Sequence, residues 1–370
     1  MRPAPLSLNP SEFARQLGAL YPVIQAPMAG GITTPELVAA VSRAGALGSL
    51  AGGMLAPAVL RKTLAAIRAL GCQDFSVNLF VLDEPQAAAP ALHAALKHLE
   101  PHFAALGVPA AVPERFCEST ELQLQVLIET PVPLASFAFG LLDPARVADL
   151  HRVGTRVVGT ATTVAEAVAW ADAGADAVCA QGLEAGGHRG GFVANLSHEQ
   201  LGTLALVPQI RAAVGIPVIA AGGIMNGAGI AACLALGASA AQLGTAFLCC
   251  DEAGTHPLWK RKLLEEPALE TGLTVAFSGR PARGLRNRFM NDMAPFAGEI
   301  PPYPIQNALT APLRARAAQL GDADHMSLWA GQAHALVRSA PAARIVQQLV
   351  AEAGATARAM ADTCAWAGVD

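Results

Sequence analysis

The sequence predicts an α/β chain folded as a (β/α)8 TIM barrel with an irregular C-terminal lid or substrate-binding insertion. Three observations carry that expectation. Eight short apolar runs recur along the chain, helical patterns separate them, and glycines gather where the late runs end. Strands alternating with helices imply a parallel sheet, and eight such units fit a closed barrel better than an open sheet.

In chain order the first four runs are YPVIQAPM from Tyr21, LGSLAG from Leu47, FSVNLFV from Phe75 and PLASFAF from Pro133. The second four are TRVVGTA from Thr155, ADAVCAQG from Ala175, IPVIAAGG from Ile216 and SAAQLGTAFL from Ser239. Helical patterns over 34–44, 57–70, 144–153, 163–173 and 226–236 supply the connections. Two long gaps follow the third and sixth runs, at 83–131 and 184–215. After the eighth run, residues 254–324 are rich in Pro, Gly and Arg with weak periodicity. Helices are then expected to resume around 340–367 and close the outer ring. The domain reading is a barrel of residues 1–254 with 325–370, and a lid of 255–324 covering the mouth.

Composition narrows the function. Hydrophobic residues make up 53% and charged residues 15% of the 370, which is a globular balance. Aromatics are 5%, so Ala, Val, Leu and Ile must build the core. A net charge of -4 gives no basic footprint for nucleic acid. Residues 212–250 carry no charge, but Pro217, Asn226, Gln242 and seven glycines punctuate them as strand, turn, helix and strand. A spanning helix needs about 20 continuous apolar residues, and buried parallel strands explain the stretch instead. The first residues, MRPAPLSLNPSEF, hold no apolar run, so no secretory signal is expected. Seven cysteines without a CxxC pair suggest reduced thiols, and a cytoplasmic location is expected.

In barrel enzymes the reacting groups lie at the C-terminal ends of strands, and the last two loops often hold phosphate. Run seven ends in Gly222 and Gly223, with a helix after Asn226. Run eight ends in Gln242, Leu243, Gly244 and Thr245. Glycine lets backbone N–H groups approach an anion closely, although either pair can also simply make a tight turn. Asn78 and Gln181 are amides at the ends of runs three and six, where buried side chains need partners. A flavin ring offers such edges, and so do neighbouring loops. Ala26, Pro27 and Met28, within QAPMAGG, would lie beside the same ring.

The sharpest motif is EAGGHRGGF from Glu184, where Gly186, Gly187, Gly190 and Gly191 bracket His188 and Arg189. An imidazole titrates near neutrality and can take a proton or stabilise an anion. Three histidines, His93, His98 and His102, share a helical spacing near Glu100, and a solvated helix face explains them better than a metal. No metal is expected. Arg280, Arg283, Arg286 and Arg288 form a basic patch that either steers an anion or pairs with surface carboxylates. Trp329, near Gln332, is either a flavin wall or an ordinary buried tryptophan.

QAPMAGGITTPELVAAVSRAGALGSL, VNLF, QGLEAGGHRGGF, AAGGI and LGTAFL, in this order, resemble the nitronate monooxygenases, formerly 2-nitropropane dioxygenases, and within them the bacterial class I group. The resemblance covers most of 21–250; YPIQNALT and SLWAGQA resemble that group's C-terminal segments. EAGGH alone is less specific, because FMN-dependent enoyl-ACP reductases carry a similar element. The resemblance implies FMN and the oxidation of alkyl nitronates, including propionate 3-nitronate, by O2 through a flavin semiquinone. The products it implies are carbonyl compounds and nitrite or related nitrogen oxides. It makes His188 the catalytic residue and Asn78, Gln181, Gly186, Gly223 and Gln242 to Thr245 flavin ligands. Gly187, Gly222, Ala26 to Met28, Trp329 and Gln332 join the expected cofactor site, with Arg189 and Tyr303 as expected substrate contacts. Family pockets often hold several tyrosines, whereas this chain has only Tyr21 and Tyr303. The alternative is an FMN-dependent NAD(P)H reductase of enoyl thioesters or quinones. A homodimer is the oligomer to test; no nucleic acid or membrane partner is expected.

Overall fold

A computed structural model describes residues 4–85, 88–192 and 200–364. The barrel strands are β1 (Val23–Gln25), β2 (Gly48–Ala51), β3 (Phe75–Phe80), β4 (Leu134–Ala138), β5 (Arg156–Ala161) and β6 (Ala177–Gln181). A two-residue strand of another sheet, β7 (Gly187–His188), intervenes before β8 (Val218–Ala221) and β9 (Ala240–Leu243) complete the set. All eight apolar runs of the sequence become barrel strands. They pair in parallel in the order β1-β9-β8-β6-β5-β4-β3-β2. The ends of that order meet where Gln25 N–H donates to Leu47 C=O (2.9 Å) and Leu47 N–H donates to Val23 C=O (2.9 Å).

Helix starts follow the local sequence. Thr34 caps Pro35–Arg43 by accepting from Leu37 N–H, with proline in the first turn, where a missing N–H costs nothing. Thr163 and Glu166 form a reciprocal capping box at the start of Val164–Asp172. Asn226 caps Gly227–Ala235 through Gly229 N–H. The strands bury Val, Leu and Ile against these helices, and small residues such as Ala177, Cys179, Ala221 and Ala240 fill the barrel interior. Phe13, Ala14 and Leu17 from the segment around Pro10–Gln16 pack into that interior core.

The chain beyond the barrel is more regular than its composition suggested. β10 (Thr271–Thr274) and β11 (Ala282–Leu285) pair antiparallel, and β11 also pairs with β7. The helix Ile305–Leu320 packs on Ala89–Leu106, which belongs to the insertion after β3. The two share an apolar cluster with Trp259, Phe277 and Phe289. Weak periodicity has a physical cause here: Ile305–Leu320 buries Gln306, Asn307 and Thr310 as well as leucines, so no clean apolar stripe exists. The late helix runs Ala342–Cys364, starting after Ala340 and Pro341, which are not helical; residues 365–367 of its expected span lie outside the described residues. Among the described residues no helix is long and apolar enough to cross a membrane.

The barrel wall has little room to spare at Gly159 in β5. A Cβ there would lie 2.0 Å from Cδ2 of the fully buried Trp170, whose indole N–H donates to Thr160 C=O at 3.2 Å. Gly159→Ala is expected to destabilise the fold by about 1–3 kcal/mol through overpacking, measured as a lower denaturation midpoint with an unchanged slope.

Candidate functional site

The C-terminal ends of the strands surround a cavity of about 330 Å³, within the volume range of small-molecule pockets. Its walls include Ala26, Pro27 and Met28 after β1, and Asn78 near the end of β3. Gln181, Gly186, Gly187 and His188 contribute from β6 and the loop after it. Gly222 and Gly223 after β8 add to the wall, as do Gln242, Gly244 and Thr245 at the end of β9, and Trp329. Fourteen of the sequence-derived site residues therefore meet in one place. Four do not line it: Leu243, Gln332, Arg189 and Tyr303.

Each of the four has a reason. Leu243 is buried in the core between sheet and helices. Gln332 is tied by its backbone N–H to Glu184 C=O (2.9 Å). Arg189 follows His188 in an extended segment, where successive side chains face opposite sides. Its guanidinium is buried and donates to Gln181 C=O (3.1 Å) and Gly182 C=O (2.7 Å), fastening the loop from beneath. Tyr303 stands at the mouth as an aromatic neighbour, its ring 5.7 Å from His188, 5.1 Å from Phe139 and 6.1 Å from Phe80.

The His188 loop is held from several sides. Gln181 Nε2 donates to His188 C=O (3.0 Å), and its Oε1 accepts from Gly190 N–H (2.8 Å). Both ends of that amide are spent on the loop, so Gln181 acts as a clamp in the cavity wall. Phe192 N–H donates to the buried Glu166 carboxylate, which also accepts from Thr162 N–H (2.6 Å). A Cβ at Gly191 would sit 2.2 Å from Thr162 Oγ1, so only glycine allows this approach. Gly187, with φ +73°, faces open space instead.

His188 Nε2 lies 2.9 Å from Ser278 Oγ, and the Ser278 hydroxyl is also 3.1 Å from Arg280 C=O. The hydroxyl has one proton. Given to Arg280 C=O, it leaves His188 Nε2–H as donor and Nδ1 as a bare acceptor; given to Nε2, it leaves Nδ1–H as a donor. Around the imidazole stand Phe139, Tyr303 and Trp329, with centroids at 5.6, 5.7 and 5.4 Å. Burial, reinforced by the positive charges of Arg280 and Arg314, pushes its pKa down to about 3. The ring is therefore neutral at physiological pH.

The basic patch divides. Arg286 and Arg288 pair with Glu270 (3.7 Å) and Asp292 (3.2 Å) at the surface. Arg283 donates to Leu183 C=O (3.1 Å) and Thr271 Oγ1 (3.2 Å). Arg280 donates to Arg189 C=O (2.8 Å) and Gly191 C=O, and its guanidinium lies 4.3 Å from the centre of the Phe139 ring. The expected solvated histidine face also divides. His93 is exposed and His98 meets Glu299 at 2.8 Å, but His102 is buried 3.1 Å from His325 because the Ile305–Leu320 region covers that side. Among the described residues no group of three or more metal-ligating side chains converges.

Sequence reasoning missed Phe139, Ser278, Asn307 and Arg314. Phe139 follows β4 with φ +79°, the one non-glycine residue at positive φ among those described, and its N–H donates to Gly190 C=O (2.9 Å). Nothing in its sequence signals that geometry. Asn307 and Arg314 line the cavity from a helix far along the chain, so only tertiary packing reveals them.

The sequence profile described as Nitronate monooxygenase matches residues 11–352. A probable nitronate monooxygenase from Staphylococcus aureus (strain JH9) is 38% identical over 344 residues, covering 92% of this chain and 97% of that protein. A solved nitroalkane oxidase from Streptomyces ansochromogenes is 44% identical with a TM-score of 0.87, covering 94% of this chain and 99% of that one. FabK from Thermotoga maritima is 30% identical with a TM-score of 0.75 over 95% of this chain and 98% of its own. A match across nearly the whole length, on a barrel whose mouth gathers the motif residues into one cavity, is decisive: the chain belongs to the nitronate monooxygenase family of enzymes.

Proposed function

We propose that the chain is an FMN-dependent enzyme that oxidises alkyl nitronates with O2 to carbonyl compounds and nitrite or related nitrogen oxides. The observation that carries this reading is a single cavity with unspent backbone donors at one end and a neutral, anchored imidazole at another. Among the described residues, the N–H groups of Gly223, Gly244 and Thr245 have no hydrogen-bond acceptor, although all three residues line the cavity. Such groups suit a phosphate. Asn78 spends its Nδ2 on Ser136 (3.0 Å to Oγ), leaving Oδ1 for a ring N–H. Gln242 engages Cys179 Sγ at 3.5 Å through Nε2, leaving its Oε1 likewise. The residues present therefore fit a flavin mononucleotide, and one phosphate site suits FMN rather than FAD.

Bound FMN supplies the electron acceptor for the nitronate and the route for electrons to O2. The chain's own groups do the rest. A nitronate arrives already deprotonated, so no base is needed to begin. His188, held at Nε2 by Ser278, offers Nδ1–H to an anion in one tautomer and a lone pair in the other. With its pKa at about 3, the imidazole is a weak base, and the site suits preformed nitronates better than neutral nitroalkanes. Phe80, Phe139, Tyr303 and Trp329 surround the reacting end with apolar surface that excludes water and strengthens the remaining polar contacts.

The likeness to FabK supports a second reading, a reductase that takes its electrons from NAD(P)H. Rapid anaerobic bleaching of the flavin by NADH, with none by propionate 3-nitronate, would establish that alternative.

Three outcomes are expected. Heat should release FMN, about one per chain; a released FAD, or a protein without flavin, would refute the cofactor assignment. His188→Asn should keep its flavin and lose about 10²–10⁴-fold in turnover of nitronate, and an unchanged rate in a flavin-replete variant would make His188 a bystander. The third concerns pH. An imidazole held neutral in the fold but protonated when unfolded gives the unfolded state more protons between its folded and free pKa values. His188 therefore lowers stability as pH falls from about 6.5 toward 3. Denaturation of flavin-free protein should show a steeper acid loss for wild type than for His188→Asn, by up to about 1.4 kcal/mol per pH unit.

A further inference from the structure

We propose that Arg314 is the anchor for a planar two-oxygen anionic group of the substrate, and that it selects anionic substrates over neutral ones; this rests on the nitronate reading above. Arg314 is the one ionisable cationic or carboxylic side chain among the described residues lining the cavity, apart from the neutral His188. No Asp or Glu lines it. The guanidinium is held on its own helix: Nε donates to Thr310 Oγ1 (3.2 Å), and Nη2 donates to Asn307 C=O (2.8 Å) and Asn307 Oδ1 (2.9 Å). Nη1 has no hydrogen-bond partner among the described residues, and no carboxylate there forms an ion pair with Arg314.

A charge withdrawn from water without a counter-ion is costly, and a fold retains one where a ligand supplies the opposite charge. The position is right for substrate. Arg314 lines the same cavity as His188 and lies close enough for its charge to act on both His188 and Tyr303. The three unpaired backbone donors assigned to phosphate belong to the loops after β8 and β9 instead. Arg280, the other cation near His188, is already committed to two carbonyls and the Phe139 face. Of the two only Arg314 lines the cavity, and its Nη1 keeps both protons free for the oxygens of a bound anion. A neutral imidazole cannot neutralise a bound anion; Arg314 can. Asn307 and Thr310 act as positioning residues that aim it.

A nitronate and a carboxylate share this planar geometry, and a substrate carrying both could present either one. The experiment compares wild type, Arg314→Gln and Arg314→Lys, each checked for flavin content and for an unchanged circular dichroism spectrum. Nitrate binding, followed by quenching of tryptophan fluorescence and by calorimetry, tests the anchor without turnover. The Gln variant should bind nitrate about 10- to 100-fold more weakly, and Lys should restore part of the loss. In steady state, the Gln variant should raise KM more than it lowers kcat. A raised KM for both a simple alkyl nitronate and a carboxylate-bearing nitronate assigns the nitronate group to Arg314. A raised KM for the second alone assigns the carboxylate.

Equal nitrate affinity in wild type and the Gln variant overturns the proposal, as does a Gln variant whose only change is a shifted flavin potential. If wild type oxidises no nitronate yet its nitrate binding depends on Arg314, the nitronate reading fails and the anion anchor stands. Should Gln destabilise the helix, the Lys variant decides: it keeps the charge but not the aimed guanidinium, so wild-type nitrate affinity and wild-type substrate KM in a folded Lys protein would refute an anchor built on the Arg314 Nη1 donors.

Discussion

Closure of the sheet at its shortest barrel strand governs the rest of the molecule. β1 contributes three residues, and through them the ladder joins β9 on one side and Leu47 on the other. A closed parallel sheet has no free edge, so its backbone polarity is spent internally and its side-chain polarity collects at the ends. Four strands carry an amide at or near the C-terminal end: Gln25, Asn78, Gln181 and Gln242. Gln25 accepts from Ser49 N–H (3.0 Å), Asn78 meets Ser136, Gln181 clamps the His188 loop, and Gln242 reaches Cys179. The mouth is thus ringed by uncharged dipoles. The positive charge that reaches His188 comes instead from two guanidinium groups, Arg280 and Arg314.

The barrel was legible in the sequence because each strand is buried on both faces and so reads as an unbroken apolar run. FSVNLF and VIAA are written as they fold. The glycine-flanked histidine was legible for a related reason: only a residue without a side chain tolerates Gly191's approach to Thr162, and such constraints leave their mark on composition. What stayed hidden depends on distances that sequence separation does not encode. Ala89–Leu106 and Ile305–Leu320 lie about two hundred residues apart, yet their packing buries His102 and places Asn307 and Arg314 at the cavity. Neighbouring residues also mislead. Arg189 adjoins His188 in sequence but faces the opposite way, and only the extended backbone reveals which of the two enters the cavity.

Gln181 and Arg189 illustrate a general division of labour. Both belong to the most distinctive stretch of the chain, and both spend their polar groups on its backbone: the amide on His188 C=O and Gly190 N–H, the guanidinium on Gln181 C=O and Gly182 C=O. A loop rich in glycine has much conformational freedom to lose. Two side chains that reach across it offset that loss and leave the imidazole with a defined position.

The pairing of β7 with β11 ties the His188 loop to a distant part of the chain. Ala282 pairs with His188 and Arg283 with Gly187, so β11 and the backbone that carries the imidazole share one ribbon. Any displacement of β11 that kept this pairing would therefore carry the backbone of His188 with it, so the imidazole's position is set from a strand nearly a hundred residues further along the chain.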